Sequence, residues 1–173
     1  MNRLYVLQVL TGKEIEIRDH LIGLGMTAYV PRETVMLHCG GIWSEEERIV
    51  FSSYVFVELC FSGEKYYSLR KIDGVLRLLE LQNGEAAALT GIEAKNILLM
   101  CPTENPLPLS TVEIVDGNPV TVSGILKEYA DKGMSIKYDK HRRRATLFIP
   151  FMGEWKKISL SFKILKNLNP AAG

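Results

Sequence analysis

Apolar and polar positions fall into short runs with different periods, and each run predicts an element. Leu4 to Leu10 (LYVLQVL) is apolar almost throughout, β-branched and aromatic in character, and ended by Thr11-Gly12, so it predicts a buried strand. In the following KEIEIRDHLIGLGM, Ile17, Leu21 and Leu24 recur at helical spacing; Thr11 with Glu14 reads as the N-cap signal, and Gly23 and Gly25 close the helix. Tyr29 to Leu37 reads as extended, Gly40-Gly41 as a turn, and Ile49-Val50-Phe51 and Tyr54 to Val57 as strand-forming, which together predict an antiparallel sheet. Glu64 to Ile72 predicts a short helix stopped near Gly74, Val75 to Leu81 a strand, and Leu89 to Met100 a third helix with Thr90 as its cap.

Pro102, Pro106 and Pro108 in CPTENPLPLS suit neither helix nor strand and mark a linker. Beyond it the pattern changes to short strands with turn signals: Val120 to Val122, Met134 to Tyr138, Ala145 to Ile149 and Trp155 to Phe162. The expected fold class is α+β. An antiparallel sheet flanked by helices over residues 1–102 is followed by a linker at 103–112, a small β-barrel at 113–169 and a small, turn-like tail at 170–173.

Charge sharpens this division. The 173 residues carry a formal net charge of only +1. Residues 1–100, however, hold ten Lys/Arg against thirteen Asp/Glu, whereas residues 118–173 hold eleven against four. An anionic partner is therefore expected at the C-terminal part. There Met134, Ile136 and Tyr138 alternate with polar residues before Asp139-Lys140-His141-Arg142-Arg143-Arg144-Ala145, and Ala145, Leu147 and Ile149 alternate after it, which makes the basic run a hairpin tip. Guanidinium groups on such a tip suit bidentate contacts to phosphate or a guanine edge. An isolated basic run is more often a solvated loop, but Lys127, Lys132, Lys137, Lys156, Lys157, Lys163 and Lys166 in the same short domain favour a phosphate-binding face. Phe148, Phe151 and Trp155 suit either base stacking or core packing.

In the first domain, Tyr54 and Phe56 share one face of a predicted strand and Val55 and Val57 the other. The pattern is compatible with an exposed aromatic patch for a protein partner or with burial of both faces. Catalytic signals are weak: His38 and Cys39 point to opposite faces of a predicted strand, and the three histidines are far apart. Phosphate-binding glycine loops are absent, and Cys39, Cys60 and Cys101 form neither a CxxC pair nor an even-numbered disulfide framework. The expectation is a non-enzymatic cytoplasmic protein without cofactor or metal; no sequence stretch approaches the roughly 20 apolar residues of a membrane span.

These motifs resemble the NusG family of transcription elongation factors. LYVLQVLTGKE is similar to the family's opening strand and Tyr29-Val30-Pro31 to its second strand. Arg48 to Val57 resembles its K/R-x-x-F-P-x-Y-x-F/L-V signature, with Ser52 in place of Pro, and Arg70 to Val75 its R-x-x-x-G-V. Val120 to Gly124 and Asp139 to Ala145 resemble its C-terminal KOW domain, an SH3-like barrel, and the basic tip most resembles the specialised LoaP branch. The resemblance implies an N-terminal NGN domain that binds the RNA polymerase clamp helices through Phe51, Tyr54 and Phe56, with Tyr5 as a further contact. It places Lys65, Tyr66, Tyr67 and Ser68 towards the opposite wall of the polymerase cleft. It also implies a KOW domain that captures a nascent RNA hairpin, for which the candidate residues are Lys127, Lys137, Lys140, His141, Arg142, Arg143, Arg144, Lys156 and Lys157. The competing expectation is a general NusG-type factor whose barrel binds a ribosomal or termination protein. A monomer that makes no membrane contact is expected in either case.

Overall fold

The computed structural model describes residues 1–80 and 83–166; the expected tail at 170–173 and the end of the Val75–Leu81 strand lie outside the described residues. Two compact units form from non-contiguous segments. The first comprises Met1–Pro31, Phe51–Cys101 and Pro150–Glu154; the second comprises Arg32–Val50, Pro102–Ile149 and the chain from Trp155 onwards.

The first unit is built on a four-stranded sheet in the order β2-β5-β1-β6, with β1 at Arg3–Val9, β2 at Thr27–Tyr29, β5 at Tyr54–Leu59 and β6 at Val75–Leu78. All its pairings are antiparallel. The two central strands are the ones with near-continuous apolar runs, as burial on both faces requires, and Val6, Leu7, Val55, Phe56 and Val57 are inaccessible to solvent. Around the sheet lie α1 (Glu14–Gly23), α2 (Gly63–Arg70) and α3 (Gly91–Leu99).

Helix α3 starts as expected: the Thr90 hydroxyl accepts from the Glu93 amide while the Glu93 carboxylate accepts from the Thr90 amide. Helix α1 does not. Its N-cap is Lys13 rather than Thr11, and Glu14 folds back to accept the Gly12 amide at 2.8 Å and the Ser53 amide at 2.7 Å. Ile17 and Leu21 are buried on α1, but Leu24 lies past its end and is exposed. Helix α2 ends at Arg70, short of the expected Ile72, and is capped by Ser62.

The extended run after Tyr29 does not join this sheet. It forms β3 (Arg32–Cys39), which pairs with β4 (Ile42–Ile49) as a separate two-stranded hairpin in the second unit and bridges Leu107 in parallel at Glu33. The hairpin turns at Gly40 and Gly41, whose φ values of 59° and 80° fit the mirror-image turns that match strand twist. Val50 to Ser53 form a bend, so Phe51 precedes β5 rather than lying on a strand.

The rest of the second unit is a five-stranded sheet in the order β8-β7-β11-β10-β9, consistent with a KOW-like or SH3-like domain. Its strands are β7 (Ser110–Val115), β8 (Asn118–Ser123), β9 (Lys137–Asp139), β10 (Arg144–Phe151) and β11 (Glu154–Ile164). Strand β7 falls partly in the expected linker and pairs in parallel with β11. A helix that periodicity missed, α4 (Ile125–Asp131), buries Ile125, Leu126 and Tyr129. It starts at Gly124, whose φ of +85° and close approach to Ser110 leave no room for a side chain: a Cβ there would lie 2.7 Å from the Ser110 Cα. The Ser110 hydroxyl then accepts the Leu126 amide at 3.1 Å.

The β3–β4 hairpin is anchored within this unit by a buried carboxylate. Glu33 Oε1 takes the Arg48 guanidinium at 2.7 Å and that of Arg144 at 3.0 Å, while Oε2 accepts the Ser161 amide at 2.7 Å. Backbone bonds add to it: the Thr34 amide donates to the Leu107 carbonyl and the Leu107 amide to the Arg32 carbonyl.

Candidate functional site

Phe51, Tyr54 and Phe56, expected as a polymerase contact, are brought together in the first unit. Tyr54 and Phe56 do share a face of β5, and Phe51 meets Phe56 edge-on with centroids 5.5 Å apart. The face is not an open patch, because Phe151 fills it. The Phe151 ring stacks on Phe51 at 5.7 Å and 21°, and lies 5.8 Å from Tyr54 and 6.2 Å from Phe56. Phe51 and Phe56 are buried and Tyr54 is half-buried, so this face is packed rather than presented as an open patch. Phe151 is also thereby a packing residue rather than a free stacking ring.

The Pro150–Glu154 segment is fixed by a second contact in the same unit. Glu93 Oε1 accepts the Gly153 amide at 2.9 Å. Burial alone would raise the Glu93 carboxyl, but the Gly153 and Thr90 amides more than offset it and hold the group below its ordinary value.

Tyr5 is buried on β1 and opens a chain of rings: Tyr5 to Phe61 at 5.8 Å, Phe61 to Tyr66 at 6.3 Å and Tyr66 to Tyr67 at 5.4 Å. The Arg70 guanidinium lies over Tyr66 at 5.8 Å, and the Tyr66 hydroxyl donates to Glu80. Tyr67, Lys65 and Ser68 are all exposed on α2, and the Ser68 hydroxyl donates to the Glu64 carbonyl one turn back. Phe61, exposed at the start of this helix, was not anticipated; a lone aromatic before a cap carries no periodic signal.

The basic run forms the turn between β9 and β10, with Arg144 opposite Asp139 as the first β10 pair. Its side chains have different fates. His141 and Arg142 are exposed, and the Arg142 amide donates to Asp139 Oδ1 at 2.9 Å. Lys140 Nζ donates to the Gly117 carbonyl at 3.0 Å. Arg143 has a φ of 53° and lays its guanidinium over the Trp43 ring, 4.8 Å from the centroid.

Arg144 is turned inward. Besides Glu33 it binds Ser159 Oγ at 3.1 Å and the Ser159 carbonyl at 2.6 Å. Its burial, and secondarily Arg48, lower the guanidinium pKa, and Glu33 opposes that shift. All three of its nitrogens thus have partners inside the fold.

The remaining candidates do not cluster at the turn. Lys127 on α4 pairs with Asp131 at 2.6 Å, and Lys137 opens β9. The Arg143 carbonyl accepts the Phe162 amide, so the turn lies beside Ser161 and Phe162. Lys157 is four residues earlier on β11 and Lys156 five, about 13–17 Å along a strand that rises some 3.4 Å per residue. Among the described residues no group of three or more His, Cys, Asp or Glu could hold a metal, and no helix is long and apolar enough to cross a membrane.

Comparison with known proteins gives these sites a context. A family model described as "Transcription termination factor nusG" matches residues 2–98. The chain therefore belongs to the NusG family of transcription factors. Among curated proteins it is 26% identical over 179 residues to the "Transcription termination/antitermination protein NusG" of Vibrio vulnificus (strain CMCP6), covering 96% of each chain. The protein of the same description from Vibrio cholerae serotype O1 (strain ATCC 39315 / El Tor Inaba N16961) is similar to the same extent and over the same coverage. Among solved structures, "Domain interaction in Thermotoga maritima NusG" aligns over 93% of this chain and 94% of that one, with a TM-score of 0.53 and 17% identity, a likeness of fold.

Proposed function

We propose that this chain is a specialised, LoaP-like antitermination factor. Its NGN-like domain, residues 1–102, binds RNA polymerase, and its KOW-like domain, residues 113–169, captures a nascent RNA element. Phe51, Tyr54 and Phe56 form the clamp-helix contact, with Tyr5, on the opposite face of the sheet, as a further contact, and Lys65, Tyr66, Tyr67 and Ser68 on α2 face the opposite cleft wall. In the conformation described here Phe151 occupies the place of an incoming apolar side chain, so polymerase binding requires the Pro150–Glu154 segment to leave.

One observation carries the RNA reading: a hairpin turn holds Lys140, His141, Arg142 and Arg143 together, with His141 and Arg142 in solvent. Each phosphate neutralised releases counterions, with a slope of about −0.7 per contact for single strands. Lys140, Arg142 and Arg143 supply three permanent cations at the turn, so the expected slope of log K against log salt is about −2. Filter binding of transcribed RNA across a salt series measures it. Arg142→Ala should weaken binding and flatten the slope by roughly one contact, and unchanged affinity refutes the assignment.

A second reading has the barrel binding a ribosomal or termination protein. It is favoured by Phe148 on β10 and Trp155 on β11, which are 54% and 72% exposed and suit a protein interface. Pull-down of protein rather than transcript by the full chain, abolished by Phe148→Ser, would support it.

A further inference from the structure

The basic turn has an aromatic neighbour that phosphate binding alone does not require. His38 and Trp43 are direct cross-strand partners beside the Gly40-Gly41 turn of the β3–β4 hairpin, and their rings lie 4.7 Å apart at 31°. Cross-strand partners share a face, so the two rings form one surface. His38 and Ile42 are exposed and Trp43 is half-buried, so this end of the hairpin presents apolar rings to solvent rather than to the core.

Arg143 joins the turn to that surface. Its guanidinium lies over Trp43, while its carbonyl accepts the Phe162 amide at 3.1 Å and the Ser161 hydroxyl at 3.3 Å. Backbone and side chain are thus both held, which lowers the ordering cost of binding.

We propose that His38 and Trp43 form a stacking platform for an unpaired base of RNA, beside the turn that holds its phosphates. The inference rests on the RNA reading above and extends it to a second element of the same unit. An exposed His38 ring backed by a half-buried Trp43, beside fixed cations, is a composition suited to single strands, because every base has a π-face and every linkage a charge. A duplex, whose bases are already stacked on each other, gains little from such rings. Charge also gives the site a direction. Glu45 follows Trp43 on the same face of β4, with Glu46 and Glu47 next in sequence, so a strand is repelled along β4 and drawn towards Lys140, His141 and Arg142.

The test uses the full chain and two RNAs of equal length, a single strand carrying 2-aminopurine and a blunt-ended hairpin. Stacking on the platform should quench the 2-aminopurine. Trp43→Ala should abolish the quench and weaken single-strand binding about tenfold, within the range of one base–aromatic stack. It should leave hairpin affinity and the salt slope nearly unchanged. Trp43→Phe should retain most of the binding. If Trp43→Ala does not fold, His38→Ala takes its place, with a smaller loss in the same direction.

Equal binding of single strand by wild type and both alanine variants overturns the platform. If Arg142→Ala still weakens binding in that case, the RNA reading stands without it. A wild-type protein that binds neither RNA removes both, and preference for a DNA strand of the same sequence overturns the assignment to RNA.

Discussion

Phe151 should hold the proposed polymerase-binding face closed, and replacing it with Ala separates two quantities that usually move together. The ring is 7% exposed and contacts Phe51, Tyr54 and Phe56 at once. Burying a phenylalanine is worth about 1.5–3 kcal/mol, and each well-placed aromatic pair adds about 0.5–1.5 kcal/mol. Part of that offsets the entropy of ordering the Pro150–Glu154 segment, so about 2 kcal/mol is a reasonable net contribution of the ring to closure. Removing it shifts the ratio of closed to open forms by about 30-fold.

If polymerase binds only the open form, its apparent affinity for the Phe151→Ala variant should rise by up to that factor, because less binding energy goes into opening. Stability should move the other way, by at most about the same 2 kcal/mol, because the closed form that loses the ring's contacts is the stable one and the open form already lacks them. Urea titration monitored by circular dichroism gives the second quantity, and anisotropy of labelled protein titrated with core RNA polymerase gives the first. A residue that only packs the core would lower both. Tighter polymerase binding by a less stable protein is the expected result, and a variant that binds polymerase no better than wild type refutes the competition.

Glu93 gives the same segment a pH dependence. Its carboxyl is held below the ordinary value of 4.5. The stabilisation is therefore complete above that value and is lost as pH falls through the lower folded-state value. Exchange protection of the Gly153 amide, corrected for intrinsic rate, should fall across that acid range in wild type and be low and flat in Glu93→Gln. Glu33→Ala should cost about 3 kcal/mol in urea midpoint at constant m-value, the lower end for breaking a buried pair, because Arg48 is 47% exposed and its share is screened. Gly124→Ala should destabilise by about 2–3 kcal/mol, since a side chain at φ +85° is both strained and forced onto Ser110; an unchanged melting temperature would refute the close-packing argument.

The parts of the fold that were legible are those whose signal is local or repeated. Strands β1 and β5 are central and buried on both faces, so their apolar runs could hardly be read otherwise. Helix α3 carries its own capping box. Strand β4 (IWSEEERI) is a strand because β3 pairs with it, and its exposed acidic run shows no alternation. Helix α4 is seven residues long and begins at a glycine with no side-chain cap, so neither periodicity nor capping announces it. Arg144 reads in the sequence as one of the basic run, because the contacts that turn it inward, with Glu33 and Ser159, come from distant segments and leave no local pattern. The aromatic residues of the first unit were legible as a set. Phe151, which covers them, lies about a hundred positions further along the chain, and no local pattern connects the two.

The arginines of the basic run depend on one another through the β3–β4 hairpin. Arg144 binds Glu33 near the start of β3, which with the Ser161 contacts fixes that strand within the second unit. The pairing of β3 with β4 then keeps a single register for eight residue pairs, from Arg32 opposite Ile49 to Cys39 opposite Ile42, and so determines where His38 and Trp43 fall. Trp43 meets Arg143 because the next residue, Arg144, anchors the other end of the same hairpin. A loss of the Glu33 contact should therefore reach the proposed nucleic-acid face without touching His38, Trp43 or Arg143. One short basic run thus divides its cations, with Arg144 turned inward to Glu33 and Arg142 left in water, and in the proposed reading the inner arginine positions the rings over which its neighbour Arg143 lies.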